Sequence, residues 1–320
     1  MFLTLVSAFG ISLVVVLATM PLLISYLHKI NYNQTVSEYS LEEYKQKQKT
    51  PTMGGIVFVL TPLAVTLLLQ PGAIRDLQAM IVMLAYVGYG LIGFLDDYII
   101  VIRQNNEGLK PQYKFFLQLV LAVLFFFMYR QNASTDVILP FLEWVIPLGG
   151  LYMLLVFFMF TGASNAVNLT DGMDGLAAGC SFLAFAPFVM FALQQDKLAI
   201  ATFIMAVMGS LLGFLKYNSH PAKIFMGDTG SLALGGALAA VGMILKQEIA
   251  VVVIGGVFVW ETLCVIIQIS SVKLRGKRVF RYTPIHDSFV LGGMRETQVV
   301  VMFWILQLVC TVAGFLIGVL

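Results

Sequence analysis

Five aspartates carry the chemistry that this chain could do: Asp96, Asp97, Asp171, Asp174 and Asp228. Charge is scarce around them, because the sequence is 59% hydrophobic and only 11% charged. Acids at the edge of apolar segments are functional candidates by default, since each one is costly to keep there. Asp96 and Asp97 stand in Gly93-Phe-Leu-Asp-Asp-Tyr98, at the end of an apolar run. Consecutive helical residues point about 100° apart, so the two carboxylates cannot enter one cleft in the same way. One is expected to reach a substrate and the other to orient it or a metal. Negative charge at a helix C-terminus is unfavourable, so a compensating partner is expected.

Asn165-Ala-Val-Asn168-Leu-Thr-Asp171-Gly-Met-Asp174-Gly-Leu176 is the most polar stretch beside an apolar run. Its glycines permit turns, its amides could read a base or sugar edge, and its carboxylates could accept from an imide or ribose hydroxyls. An Asx-turn is the plain alternative for Asp171, and a helix N-cap before Leu176 for Asp174. Tyr217-Asn218-Ser-His220-Pro221 leads into Phe225-Met-Gly227-Asp228-Thr-Gly230, which sets a carboxylate on a tight turn feeding a helix. Mg²⁺ favours one or two such carboxylates together with substrate phosphates. Lys47-Gln-Lys49-Thr50-Pro51-Thr52-Met53-Gly54-Gly55 could hold a phosphate through Lys47 and Thr52, or serve as a basic anchor beside the bilayer. His286 follows Thr283-Pro284-Ile285 and could donate to a phosphate or sugar. His28 and His220 read as structural. Glu261 lies deep in an apolar run and should pair with a donor on a neighbouring helix.

The elements that position these residues follow from hydropathy. Soluble domains are about 25% charged, so this composition defines an all-α integral membrane protein. Ten apolar runs approach the roughly 20 residues of a spanning helix. They cover 2–27, 53–70, 78–101, 115–129, 146–163, 175–193, 198–215, 230–245, 249–271 and 298–319. The first has no basic residue before it and exceeds a signal-peptide core, so it reads as an uncleaved span. Of the 19 Lys and Arg, all but Arg75, Arg130, Lys197 and Lys246 fall in loops after odd-numbered runs. That bias makes those loops cytoplasmic and both termini extracytoplasmic. All five aspartates then face the cytosol, which suits metal-assisted phosphate chemistry on a lipid substrate. The segment from Gln131 to Trp144 alternates loosely and suggests a small external hairpin. With no linker or repeat, residues 1–320 read as one polytopic domain. Cys180, Cys264 and Cys310 lie in apolar runs without a C-x-x-C pair and read as small buried hydrophobes. P-loop, dinucleotide and zincin motifs are absent.

Together, Thr-Pro-Thr-Met-Gly-Gly, Asp-Asp-Tyr, Asn-Leu-Thr-Asp-Gly-Met-Asp-Gly-Leu and Phe-Met-Gly-Asp-Thr-Gly-Ser-Leu resemble the polyprenyl-phosphate N-acetylhexosamine-1-phosphate transferase superfamily, over almost the whole chain. The likeness is strongest to its muramoyl-pentapeptide branch. It implies that undecaprenyl phosphate attacks the β-phosphate of UDP-MurNAc-pentapeptide, giving lipid I and UMP with Mg²⁺ as cofactor. It implies that Asp228 is the metal ligand, that Asp96 activates the lipid phosphate and that Asp97 lies close by. Lys47, Asn165, Asn168, Asp171, Asp174, Asn218 and Phe225 would form the uridine and diphosphate pocket. Lys114 matches a lysine downstream of the Asp pair. Three positions depart from the pattern: Ile100 replaces a lysine, Lys49 a glycine, and His286-Asp287-Ser288 a triple histidine. The implied partners are the two substrates and membrane lipids, with no nucleic acid and with a homodimer left open. A related enzyme using another UDP-N-acetylhexosamine is the close alternative. A cation-coupled transporter is the distant one, since transporter acids sit near the bilayer midplane.

Overall fold

The computed structural model describes residues 1–29, 50–103, 108–140, 142 and 144–319. Among these residues twelve α-helices run in chain order: α1 Phe2–Lys29, α2 Gly55–Leu69, α3 Leu77–Arg103, α4 Pro111–Tyr129, α5 Tyr152–Thr170, α6 Leu176–Gln194, α7 Leu198–Asn218, α8 Gly227–Ile244, α9 Glu248–Ile254, α10 Gly256–Arg275, α11 Ile285–Val290 and α12 Glu296–Val319. Among the described residues nine helices are long and apolar enough to cross a membrane, so this is a multi-pass, all-α membrane protein. The second predicted run forms only the 15-residue α2. At 1.5 Å per residue it falls short of a hydrocarbon core of about 30 Å.

The bundle is built around α8. Every residue of α8 from Thr229 to Ile244 is buried. Its sequence, Gly-Asp-Thr-Gly-Ser-Leu-Ala-Leu-Gly-Gly-Ala-Leu-Ala-Ala-Val-Gly-Met-Ile, is dominated by small residues that let neighbours approach backbone to backbone. The closest approach is to α3, where a Cβ on Gly93 would lie 2.0 Å from the Asp228 carbonyl oxygen. Tyr89 of α3 packs against Gly236 and donates its hydroxyl to the Gln118 carbonyl of α4 (3.2 Å). These contacts fix α3, α4 and α8 as one unit.

Three predicted elements are corrected. Asp96 and Asp97 do not end a helix, because α3 continues to Arg103. The fifth helix starts at Tyr152 and runs to Thr170, so Asn165 and Asn168 are helical rather than in a loop. The ninth run is two helices broken at Gly255. A break inside lipid must satisfy its freed carbonyls internally. Gln307 of α12, itself buried, does so by donating to the Ile254 carbonyl at 2.6 Å.

Between α4 and α5 lies the predicted hairpin, with β1 Asp136–Leu139 paired antiparallel to β2 Trp144–Pro147. It follows the C-terminal end of α4, whereas the polar motifs cluster near that helix's N-terminal end. About 28 Å of helix separates the two ends at 1.5 Å per residue over 19 residues.

Candidate active site

The signature loops meet through backbone pairing. Phe225 donates its N–H to the Pro51 carbonyl (2.9 Å), while Gly54 and Gly55 donate to Phe225 and Met226 (2.8 and 3.0 Å). Thr-Pro-Thr-Met-Gly-Gly is thereby laid along Phe-Met-Gly-Asp. The turn into α8 needs Gly227, whose φ is +70°. A side chain there would also strike the Asp97 carboxylate and the Thr52 hydroxyl, at 2.5 and 2.8 Å from its Cβ. Thr52 is therefore buried beside Asp97 rather than open to a ligand in this state.

Asp96 and Asp97 take different partners, as their 100° separation requires. Asp97 caps α8 from outside the helix. Its carboxylate accepts from the Asp228 N–H (3.0 Å), the Thr229 N–H (2.9 Å) and the Thr229 hydroxyl (2.6 Å). The positive end of the α8 dipole thus supplies the compensation that a negative charge late in α3 needs. Asp96 is buried, accepts from the Leu109 N–H at 3.1 Å and lies 3.7 Å from the Lys114 ammonium. Gly108 packs directly over its carboxylate.

Asp228 is the second residue of α8 and joins the group from the other side. Its carboxylate meets the Lys114 ammonium and accepts from the Asn168 amide at 2.6 Å. Asn168 also donates to the Ser231 hydroxyl at 2.9 Å. Lys114 sits in the first turn of α4, which Pro111 starts with its fixed φ. Lys114 thus pairs with Asp96 and Asp228 across α3, α4 and α8, while Asp97 spends its carboxylate on the N-terminus of α8. Asp228 is the most open of the three, with 22% of its side chain exposed.

The other predicted residues lie around this centre. Asn165 is one turn back along α5 and spends its amide on the Thr161 carbonyl and Gln118 (2.8 and 3.3 Å). Asp171 terminates α5 as its C-cap. Asp174 is not the N-cap of α6, a position taken by Gly175 at φ +80°. Its carboxylate instead accepts from the Ala222 N–H (3.0 Å) and faces His220 Nδ1 (3.1 Å). Asn218 is buried and braces two loops, accepting from the Gly175 N–H (3.1 Å) and donating to the Ile224 carbonyl (3.0 Å). Phe225 is half-buried. His286 is buried against Gly172. Lys47 lies outside the described residues.

Two contributors escape a reading of the sequence. Glu296, in the first turn of α12, accepts from the Asp174 N–H at 2.8 Å. Only the presence of an isolated acid before an apolar run marks it. Gln118 reads as one more residue of a span, yet it holds Asn165 and lies within 3.5 Å of Ser164.

A divalent cation fits the group at Asp228. The ligand atoms there are the carboxylate oxygens of Asp96 and Asp228, which suit Mg²⁺, and an ammonium already stands against them as a positive charge. Among the described residues, Asp174, His220 and Glu296 also bring ligand atoms within 4.8 Å of one another. That group contains an imidazole, a donor better matched to zinc or nickel than to magnesium.

The helical bundle and its gathered acids define a membrane transferase. The glycosyl transferase family 4 model matches residues 79–246, from α3 through the end of α8. Signature 1 of phospho-N-acetylmuramoyl-pentapeptide-transferase matches residues 47–59, the segment that pairs with the Asp228 turn. Curated phospho-N-acetylmuramoyl-pentapeptide-transferases align along nearly the full length. That of Geobacillus thermodenitrificans is 45% identical over 316 residues, 98% of each chain. That of Bacillus mycoides is 47% identical over 313 residues, 97% of this chain and 96% of its own. The chain belongs to the phospho-N-acetylmuramoyl-pentapeptide-transferase family.

Proposed function

We infer that this protein transfers phospho-MurNAc-pentapeptide from its UDP carrier to undecaprenyl phosphate, giving lipid I and UMP for peptidoglycan synthesis. The observation that supports the assignment of the site is a group of three carboxylates, two of which pair with Lys114 while the third holds the N-terminus of α8. Such a centre has negative charge in excess and therefore room for a cation.

Phosphoryl transfer requires positioning and charge neutralisation more than covalent help. Asp228, with Asn168 holding one of its oxygens, would carry Mg²⁺. When bound, the ion supplies charge neutralisation to the diphosphate and its departing UMP. Lys114 neutralises a phosphate oxygen at the same place. Asp96 orients the attacking lipid phosphate. That monoester has a second pKa near ~6, so it is mostly dianionic at neutral pH and needs no strong base. Asp97 holds the N-terminus of α8 and so aims Asp228. Asp171, Asp174, Phe225 and His286 line the approach of the nucleotide and its diphosphate, Asn218 braces the loops that carry them, and Lys47 and Thr52 are assigned to the same substrate by the family resemblance alone. Asn165 supports Asn168 from the preceding turn.

The lipid can reach this centre from the bilayer. An apolar cleft between α5, α8 and the broken α9–α10 pair is lined by Phe158, Ala166, Leu238, Val251, Phe258 and Leu263. It suits a prenyl chain. In the intact membrane we place ten spans, counting α2 and treating α9 with α10 as one. Both termini then lie outside the bacterial cytoplasmic membrane and the acids face the cytosol, as the distribution of Lys and Arg dictates. The chain acts as one polytopic domain, and a homodimer is compatible with it.

The test is UMP release by purified protein given undecaprenyl phosphate, Mg²⁺ and one UDP-sugar at a time. UDP-MurNAc-pentapeptide is the expected donor. Release with UDP-GlcNAc alone would transfer the assignment to a different glycan. Ion-driven transport without UMP release from any donor would remove it.

A further inference from the structure

The triple-histidine departure directs attention to the one histidine that remains. His286 begins the short helix α11 after a cytoplasm-facing loop, and its ring is 1% exposed. Its Nδ1 lies 2.9 Å from Oε1 of Glu261, which is itself fully buried in the second turn of α10. The second oxygen of Glu261 accepts from the Ile285 N–H at 2.8 Å. Both carboxylate oxygens are thus spent on two consecutive residues of one turn. On its far edge, the ring presents Nε2 to the Asp171–Asp174 loop. A Cβ on Gly172 would lie 2.3 Å from Nε2, so the ring rests on the backbone of that loop. Asp287 Oδ1 stands 3.7 Å from the same nitrogen.

An isolated carboxylate within a spanning helix is costly and is kept only with a partner. A carboxylate behind an imidazole fixes both its tautomer and its orientation, because it requires a proton on the nitrogen that faces it. We propose that Glu261 is a positioning residue for the transferase reaction: it holds the Nδ1 proton of His286 and thereby aims Nε2 at the Asp171–Asp174 loop, where the diphosphate of the donor must pass. Ser288 completes the turn, accepting from the Tyr282 N–H (2.9 Å) and donating to the Tyr282 carbonyl (2.6 Å). The loop is therefore closed on itself, and Nδ1 of the ring is held from α10 by Glu261.

The inference rests on the transferase reading for its functional half, whereas its structural half can be measured without turnover. The chain has three histidines. Full-length protein carrying ¹⁵N-labelled histidine therefore gives three ring spin systems, sorted by the loss of one in His28→Gln and of another in His220→Gln. The expected spectrum has the His286 proton on Nδ1, whether or not Nε2 is also protonated. A ring with Nδ1 bare and Nε2 protonated would overturn the proposal. This spectrum is read from the wild-type protein and stands whether or not any donor releases UMP, so failure of the transferase reading is a separate result. For the functional half, Glu261→Gln keeps the shape and removes the charge, whereas Glu261→Asp keeps the charge on a shorter arm. Loss of an orienting partner of this kind costs about 10–100-fold. We expect kcat to fall by that factor in Glu261→Gln and to recover in part in Glu261→Asp, with KM for the nucleotide moving less. Wild-type kcat in Glu261→Gln, or a better rate with Gln than with Asp at equal melting temperature, would overturn it.

Discussion

Two buried polar clusters lie at opposite ends of α4, and they are built on opposite principles. At the hairpin end, Lys246 meets Glu248 at 2.7 Å, faces the Tyr129 hydroxyl at 3.2 Å and donates to backbone carbonyls of Ser134 and Asp136. Tyr152 donates to Glu248 at 2.6 Å and lies 2.9 Å from the Tyr129 hydroxyl. One carboxylate matches one ammonium, and neighbouring hydroxyls and carbonyls take up the remaining capacity. At the other end, Asp96 and Asp228 both pair with Lys114, and Asp97 adds a third carboxylate at the N-terminus of α8. The first cluster is closed and ties the hairpin to the bundle. The second carries surplus charge, which costs stability unless a ligand uses it. Burial and hydrogen bonding are similar in both, so the charge balance is what separates a structural network from a reactive one.

Substitutions at the two ends should therefore differ in kind. After Asp228, the largest effect is expected for Asp96→Asn, which keeps the shape beside Leu109 and Lys114. Loss of a preorganised charged group costs on the order of 10²–10³ in kcat. Because the attacking monoester is already largely ionised above its second pKa near ~6, the loss should persist across pH 7–9. A loss that closes as pH rises would instead assign Asp96 the role of a base. Lys114→Met removes the ammonium that Asp96 and Asp228 share and should cost about 10²-fold in kcat/KM, with little loss, or even a gain, of the apoprotein's ability to bind a divalent ion in its place. Equal activity with Met and with Arg at this position would contradict that.

Asp97→Ala should combine both kinds of effect. It uncaps α8 and leaves the Asp228 and Thr229 N–H groups without their acceptor, a loss of about 0.5–2 kcal/mol for a cap. Melting temperature and turnover should fall together, because the same carboxylate aims Asp228. The smallest effect on rate is expected at the hairpin end. Glu248→Gln breaks a buried ion pair and should destabilise by about 3–5 kcal/mol, while turnover per folded molecule stays near the wild-type value.

The two ends also differ in how far the sequence revealed them. Hydropathy located the helices, and the glycine-flanked aspartates marked the reactive end, because acids are rare in so apolar a chain. The pairing of Lys114 with Asp228, 114 residues apart, follows from the packing of α4 and α8 and has no local signal. The same is true of Asp97 as a cap on a helix distant in the chain. Asn165 and Asn168 lie beyond the apolar run that ends at residue 163, yet α5 extends through them and directs one amide at Gln118 and the other at Asp228. The break at Gly255 was hidden by an unbroken apolar run, since hydropathy does not register which carbonyl a distant Gln307 will satisfy. The Lys246 network was invisible altogether, its lysine having entered only as a topology signal.

The most direct test of this contrast sets Asp228→Asn against Glu248→Gln in one preparation, with UMP release from UDP-MurNAc-pentapeptide measured per folded molecule. The account predicts that Asp228→Asn folds at or above the wild-type melting temperature and releases no measurable UMP at any Mg²⁺ concentration, while Glu248→Gln melts earlier and turns over normally. Undiminished UMP release by folded Asp228→Asn would contradict it.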